Sequence, residues 1–537
     1  MPRISRKTGF PRVTANGVFN TVGMAYRFLE AGFTIAGRLQ ADHDYRENIE
    51  RISGNQFSGR LKDAAPASVE DLMEAGFINP DDQKGGFRIG EHEGYECKLP
   101  GDAPVSVMAP SGTLKTWAFT VPLIISTAMG ERPESCFVLD LKGTLYLSTA
   151  AGRSSLTGND KAALFNPWMM YGIPGGKINP LNDLVRRANE GKPVKDASLS
   201  KLAMIFPDPA SKGQNAYGVE AGIRVSSIVM VHVAELEPQN CKLSYFSDLA
   251  AMPQVEFAEF MALLTKSPAG EGYVSRYARK LHSEFGDVES ESSRKLYNWM
   301  MDEVANAFEL YSEGTVLRYA TDETTLDIAG LKQQVGEIYF MFPAAYVDSH
   351  GKFASLVMDY VITTIASAEG DVRTNLILEE LANWPHIKSL PRCLRLFRES
   401  LTRVVSITQD RDGFAAYKKD GGYRLFEANC ATLTWGVRDT KHAADIEARA
   451  GHRPALVPTW NTQVGERANT GGMSASERLV PLLNQYEVTM ISKGYAIFEM
   501  PGHKTFVLKM PPYDEIPHIA PYVRDLRIHP PPPVDHE

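Results

Sequence analysis

Lys115-Thr116 closes a loop of small residues, Ala109-Pro110-Ser111-Gly112-Thr113-Leu114, that follows the apolar run Val105-Ser-Val-Met108. A lysine and a hydroxyl at the end of a short loop fed by a strand can serve phosphate and Mg²⁺. In the pattern G-x-x-x-x-G-K-[ST] the backbone N–H groups of the turn wrap the phosphates, the lysine reaches them and the hydroxyl takes the metal. Ala109 stands at the first glycine position and Leu114 at the second. The second replacement matters more, because glycine there allows unusual dihedrals and a close backbone approach without a Cβ. Thr374-Asn-Leu-Ile-Leu378 is an apolar run that ends in two adjacent carboxylates, Glu379 and Glu380. At such a strand end the first is suited to hold Mg²⁺ through water and the second to polarise an attacking water. Paired carboxylates are also common as a solvated strand terminus. Gln409 ends a third apolar run, Arg403-Val-Val-Ser-Ile-Thr408, where an amide facing the site can sense a γ-phosphate or simply cap the strand.

These groups need strands that end at one place. The stretch from Tyr95 to Met108 reads as strand leading into the loop, and Trp117 to Met129 as a helix with Pro122 tolerated near its start. Ser135-Cys-Phe-Val-Leu-Asp140 is a short buried strand that runs into the turn Leu141-Lys142-Gly143, which completes a βαβ unit. Lys161 to Pro167 reads as a further strand followed by an irregular loop containing Asn179-Pro180-Leu181. From about Asp196 to Leu331 the pattern changes to long amphipathic segments, with Trp299, Met300 and Phe308 at core spacing. Gly336 to Pro343 returns the chain to the sheet, and Phe353 to Ala366 is a helix packed on it. The expectation is an α/β fold with a mostly parallel sheet, interrupted by an all-α stretch. Glu379 and Glu380 then lie at the carboxyl edge of that sheet, where ligands bind.

At 537 residues the chain predicts two or three domains. Hydrophobic residues make up 43% and charged residues 23%, with a net charge of -8, so any DNA site must be a local basic surface. Cys97, Cys136, Cys241, Cys393 and Cys430 are far apart with no C-x-x-C pair, which argues against a disulfide framework and a zinc site and for the cytoplasm. No run reaches the roughly 18 to 20 apolar residues of a membrane-spanning helix. Val18 to Leu39 has a short helical pattern, Arg3, Arg6, Lys7 and Arg12 read as a solvated basic arm, and His529-Pro-Pro-Pro-Pro-Val as an extended tail.

Taken together, the blocks from about residue 95 to 515 resemble the TraG/TraD-like coupling-protein ATPases of type IV secretion and conjugation, in the FtsK/HerA-type P-loop superfamily. The loop at 109–116 is similar to A-P-T-x-x-G-K-x, Asp140-Leu-Lys142-Gly143 to Asp-x-Lys-Gly-Glu with Thr149 and Arg153 following, and Asn179-Pro180-Leu181 to a recurrent Asn-Pro-Leu. Leu378-Glu379-Glu380-Leu381-Ala382 is similar to Leu-Asp-Glu-Phe-Ala, and Ile407-Thr408-Gln409-Asp410 to the family's glutamine strand. The resemblance implies a RecA-like P-loop NTPase core that binds ATP and Mg²⁺. Residues 95–195 and 336–515 would form the nucleotide-binding domain, 196–335 an all-α insertion, 1–94 a region without assigned chemistry and 516–537 a Pro-rich tail. It also implies a hexamer around a DNA channel, with single- or double-stranded DNA, a relaxase or other nucleoprotein substrate, and secretion components at the inner membrane as partners. Within it, Lys115 serves the phosphates, Thr116 and Glu379 the metal, Glu380 the water and Gln409 the γ-phosphate, while Arg398 matches an arginine supplied to the neighbouring subunit. The pair of N-terminal membrane helices of the family is missing, so the chain is expected to be cytoplasmic and recruited to the membrane by another component. Leu114 and Glu379 depart from the pattern and leave two readings open: a working motor, or a family member that binds nucleotide weakly or not at all and serves as an adaptor or structural subunit.

Overall fold

The computed structural model describes residues 67–82, 84–159, 162–211, 213, 216–396, 400–462, 471–492, 494–526, 528 and 530. The basic arm, the helical pattern at Val18–Leu39, Arg398 and nearly all of the proline run lie outside them. Thirteen strands are present among the described residues: β1 Arg88–His92, β2 Tyr95–Lys98, β3 Val105–Met108, β4 Ser135–Asp140, β5 Ala163–Phe165, β6 Glu337–Met341, β7 Thr374–Leu378, β8 Thr402–Thr408, β9 Ala431–Thr434, β10 His452–Thr462, β11 Gly471–Pro481, β12 Tyr495–Glu499 and β13 Phe506–Lys509.

Eleven of them form one sheet in the order β2-β1-β13-β12-β9-β3-β8-β7-β4-β6-β5. From β9 to β5 every pairing is parallel, and β12, β1 and β2 extend the β9 edge with antiparallel pairings. Strands β3, β4, β6, β7, β8 and β9 are buried along their whole length. That burial is why they read as continuous apolar runs and not as alternating ones. Helices cover the sheet, among them Thr144–Thr157 and the long Val347–Ser367.

Between β5 and β6 the chain is helical, with Ala216–Leu236 and Glu291–Phe308 its longest elements. Met300 and Phe308 are fully buried there, as their spacing predicts, and Trp299 packs against Tyr217 with ring centroids 5.8 Å apart. Asn179 ties the two ends of this stretch together. Its side-chain amide donates to the Cys241 carbonyl at 2.7 Å, and its backbone N–H donates to Thr324 Oγ1 at 2.9 Å.

At the start of β7 and β8, the edge away from the loop at 109–116, Arg403 is buried and donates to Glu134 Oε2 and Asn375 Oδ1, both at 3.0 Å. Among the described residues the contacts separate Gly436–Tyr495 as one compact unit from Ala67–Trp435 and the chain from Ala496 onward as another. The first holds the β10–β11 hairpin, the second the sheet. All five cysteines are free thiols and buried. No helix of the described residues is long and apolar enough to cross a membrane.

Candidate nucleotide-binding site

Neighbouring strands β3, β8 and β7 deliver the three stretches singled out above to one edge. The register pairs Met108 with Thr408 and Ser406 with Leu378, so the loop at Ala109, Gln409 and Glu379-Glu380 all leave the sheet together. The Ala109 N–H donates to the Thr408 carbonyl at 3.1 Å and ties the loop to β8. Thr113 Oγ1 closes the turn by donating to the Pro110 carbonyl at 2.6 Å, and Trp435, just past β9, donates its indole N–H to the Thr113 carbonyl at 3.4 Å.

Gly112 and Leu114 both take left-handed backbone, at φ +78° and +63°. Leu114, a residue 53% exposed, therefore adopts a conformation that glycine would take freely. Left-handed backbone costs a residue with a Cβ about 1–2 kcal/mol. The loop holds Leu114 in that conformation and bears the strain. Leu114→Gly is expected to stabilise the fold by about 0.5–1 kcal/mol, the relief being partly offset by glycine's greater freedom in the unfolded chain. Urea unfolding checks this, and a destabilised variant would mean that the leucine side chain is needed.

Lys115 is buried, and its Nζ lies 3.1 Å from Glu380 Oε1. Among the described residues the approach does not meet hydrogen-bond geometry, so the amino group is held by charge alone. Gln409 Nε2 donates to the other Glu380 oxygen at 3.3 Å. Glu380 is itself in left-handed backbone at φ +52°, a second strained position at the same place. Such outliers persist only where the surroundings over-determine them, and they gather at functional sites.

Thr116 to Thr120 forms a single π-helical turn ahead of the helix Val121–Ser126, a feature frequent at functional sites. Both threonines face Glu379. Thr116 Oγ1 donates to Oε1 and Thr120 Oγ1 to Oε2, each at 3.0 Å. Glu379 is buried, and burial pushes its carboxyl from an ordinary 4.5 up to about 7. The Lys115 ammonium and the Thr116 hydroxyl pull it down, Glu380 pushes it further up, and Thr120 opposes. A carboxyl raised in the folded state holds its proton longer there than in the unfolded chain. Its contribution to stability therefore falls as pH rises from about 4.5 to about 7 and is level above. Glu379→Gln is expected to make the pH dependence of thermal unfolding shallower over that window and to raise stability above it. An unchanged slope would mean that the carboxyl is not held in this way.

The site thus joins residues 109–116, Glu379, Glu380 and Gln409. The other residues of the sequence blocks go elsewhere. Asp140 accepts the N–H groups of Leu145 and Tyr146 at 2.8 and 3.0 Å and so caps the helix Thr144–Thr157, with burial pushing its carboxyl up to about 6. Thr149 meets the Tyr339 hydroxyl at 2.8 Å, and buried Arg153 donates to the Ile124 and Glu134 carbonyls and to Thr127 Oγ1, bracing the helix behind the loop. Arg403 lies at the opposite end of β8. Thr120 and Trp435 belong to the site and were not singled out by sequence reasoning. Thr120 was within reach of it, because four residues from Thr116 on a helical segment is the same face.

A parallel sheet whose central strand feeds a lysine-threonine loop, with an acidic and a glutamine strand beside it, defines the RecA-like P-loop class of fold. The chain belongs to the family described as type IV secretory system conjugative DNA transfer, which matches residues 58–509. Among solved structures it is similar to the plasmid coupling protein TrwB in complex with the non-hydrolysable ATP analogue ADPNP. The identity is 14% over 84% of this chain and 94% of that one, with a TM-score of 0.54. The unbound bacterial conjugative coupling protein TrwBdeltaN70 matches at 14% identity over 83% and 91% of the two chains, with a TM-score of 0.52. No curated protein matches the chain.

Proposed function

We propose that the chain is a coupling-protein ATPase that binds ATP with Mg²⁺ at the 109–116 loop and uses binding and hydrolysis to drive transfer of DNA or a nucleoprotein substrate. The observation that carries this is Lys115: a residue only 6% exposed at the end of a strand-fed loop, its amino group ion-paired to Glu380 with no hydrogen bond among the described residues. A phosphate would take the place of that carboxylate and give the ammonium well-aligned acceptors. The TrwB structures in complex with ADPNP and with ADP and Mg²⁺ support the same ligands on the same fold.

The metal donors fit as well. Among the described residues no three His, Cys, Asp or Glu side chains are placed to hold a metal. Mg²⁺ bound to nucleotide needs no such cage, because it takes one or two protein oxygens and completes its shell with phosphate and water. Thr116 would offer its hydroxyl to the ion and Glu379 would hold it through water, and the bound metal would neutralise charge on the phosphates. Glu380, released from Lys115 by the phosphates, accepts the proton of the attacking water, and Gln409 holds Glu380 and reports the γ-phosphate. The helical stretch 196–335 acts as a domain inserted into the nucleotide-binding domain, and the chain works as a hexamer in which Arg398 completes the neighbour's site. Its partners are DNA, a relaxase or other nucleoprotein substrate, and secretion components at the inner membrane.

The test is ATP turnover by the purified chain, with and without single-stranded DNA, beside Lys115→Ala and Glu380→Gln. Turnover raised by DNA and lost in both variants is expected. Equal background rates in all three proteins would sink the motor reading and leave the adaptor.

A further inference from the structure

Glu379 has one more rotatable bond than the aspartate of the family's acidic strand, so reaching the metal is not enough; its carboxylate must also be kept from turning. Rotation about the last bond of a glutamate is soft. Here each oxygen has its own donor, Thr116 on one side and Thr120 on the other, at equal distances of 3.0 Å. Two bonds on two oxygens fix that rotation, whereas one bond leaves it free. Thr120 is completely buried, so its hydroxyl meets Glu379 and not solvent. The π turn contributes to the geometry: the Val121 N–H bonds back to the Thr116 carbonyl, five residues earlier, and both hydroxyls are presented to one carboxylate.

We infer that Thr120 is a positioning residue for Glu379, holding Oε2 so that Oε1 keeps the Thr116 hydroxyl as its donor and leaves that hydroxyl's lone pairs for Mg²⁺. The inference rests on the reading of this loop as a Mg²⁺-nucleotide site. Losing Thr120 leaves Oε2 of a buried carboxylate without a donor, and the group turns to share Thr116. Partners that orient metal-binding groups typically change metal affinity by about 10- to 100-fold when removed.

The experiment titrates Mg²⁺ against binding of the fluorescent probe trinitrophenyl-ATP to the full chain and to Thr120→Val, Thr120→Ser and Glu379→Asp, with parallel titrations in EDTA. Thr120→Val is expected to raise the Mg²⁺ midpoint by about 10- to 100-fold while leaving probe affinity in EDTA unchanged, and Thr120→Ser to restore the wild-type midpoint. Because the shorter carboxylate of Glu379→Asp does not span both threonines, adding Thr120→Val to it is expected to cost less than it does in wild type, a coupling that a purely structural role does not produce. A Thr120→Val midpoint equal to wild type, or a Thr120→Ser no better than valine, overturns the inference while probe binding that depends on Lys115 leaves the nucleotide reading standing. A wild-type chain that binds no probe at any Mg²⁺ concentration overturns both.

Discussion

Lys115→Ala is expected to weaken nucleotide binding by about 100-fold or more. The estimate follows from charge-assisted hydrogen bonds worth about 1.5–3 kcal/mol each, of which an ammonium on phosphates makes at least two. Few alternative donors compensate, because Gln409 is turned toward Glu380 and the nearest arginine of β8 is buried in an ion pair at the strand's other end. The fold should survive the change. Glu380 keeps its bond to Gln409, whereas Glu379 loses the ammonium that is the strongest influence lowering its pKa and becomes still easier to protonate. Equilibrium binding of ATP to wild type and variant, with unfolding midpoints alongside, checks both statements. Equal affinities would mean that the loop does not take phosphate, which is the result the adaptor reading requires.

Glu380→Gln moves the two observables in opposite directions. Removing a general base typically costs about 10²- to 10⁴-fold in rate, so turnover falls to background. Binding is expected to hold or tighten, because the charge that now sits 3.1 Å from the Lys115 amino group is gone and the lysine is free for phosphate. Loss of turnover with retained binding is therefore the signature of Glu380, and loss of both is the signature of Lys115. A Glu380→Gln protein that turns ATP over at the wild-type rate would reduce the paired carboxylates to a solvated strand end.

Strands β3, β4, β6, β7 and β8 were legible because a strand buried on both faces is an uninterrupted apolar run bounded by turns. The antiparallel flank was only partly so: β2 falls inside the stretch Tyr95–Met108 that reads as strand, though not as a strand separate from β3, whereas β1 and β13 are five and four residues long and carry charges such as Arg88, Glu91 and Lys509. In the site, the lysine, the carboxylates and the glutamine could be read because each sits where a strand stops. Thr120 does not stand out from the apolar helix around it by type, only by its spacing of four residues from Thr116. Arg403 illustrates a limit of proximity in sequence: it is six residues from Gln409, but on an extended strand six residues are roughly 20 Å, and it serves an ion pair instead of the site. The consequence of Leu114 was also hidden, because a missing glycine predicts either a different loop or a strained one, and only the backbone at φ +63° distinguishes them.

The pairing of β3 with β8 and β9 has a bearing on the birth of the protein. Val105 lies opposite Val405 and Ala431, about three hundred residues later in the chain. With synthesis at about 5–20 residues per second, β3 emerges and waits roughly 15–60 s before either neighbour exists. Throughout that interval an apolar strand with two bare edges is exposed, while the helices between β5 and β6, whose contacts are more local, can already fold. The strand that carries the phosphate loop is thus among the last to find its place. Nascent chains are expected to depend on chaperones for this reason, and slow assembly of the parallel sheet should dominate refolding from denaturant.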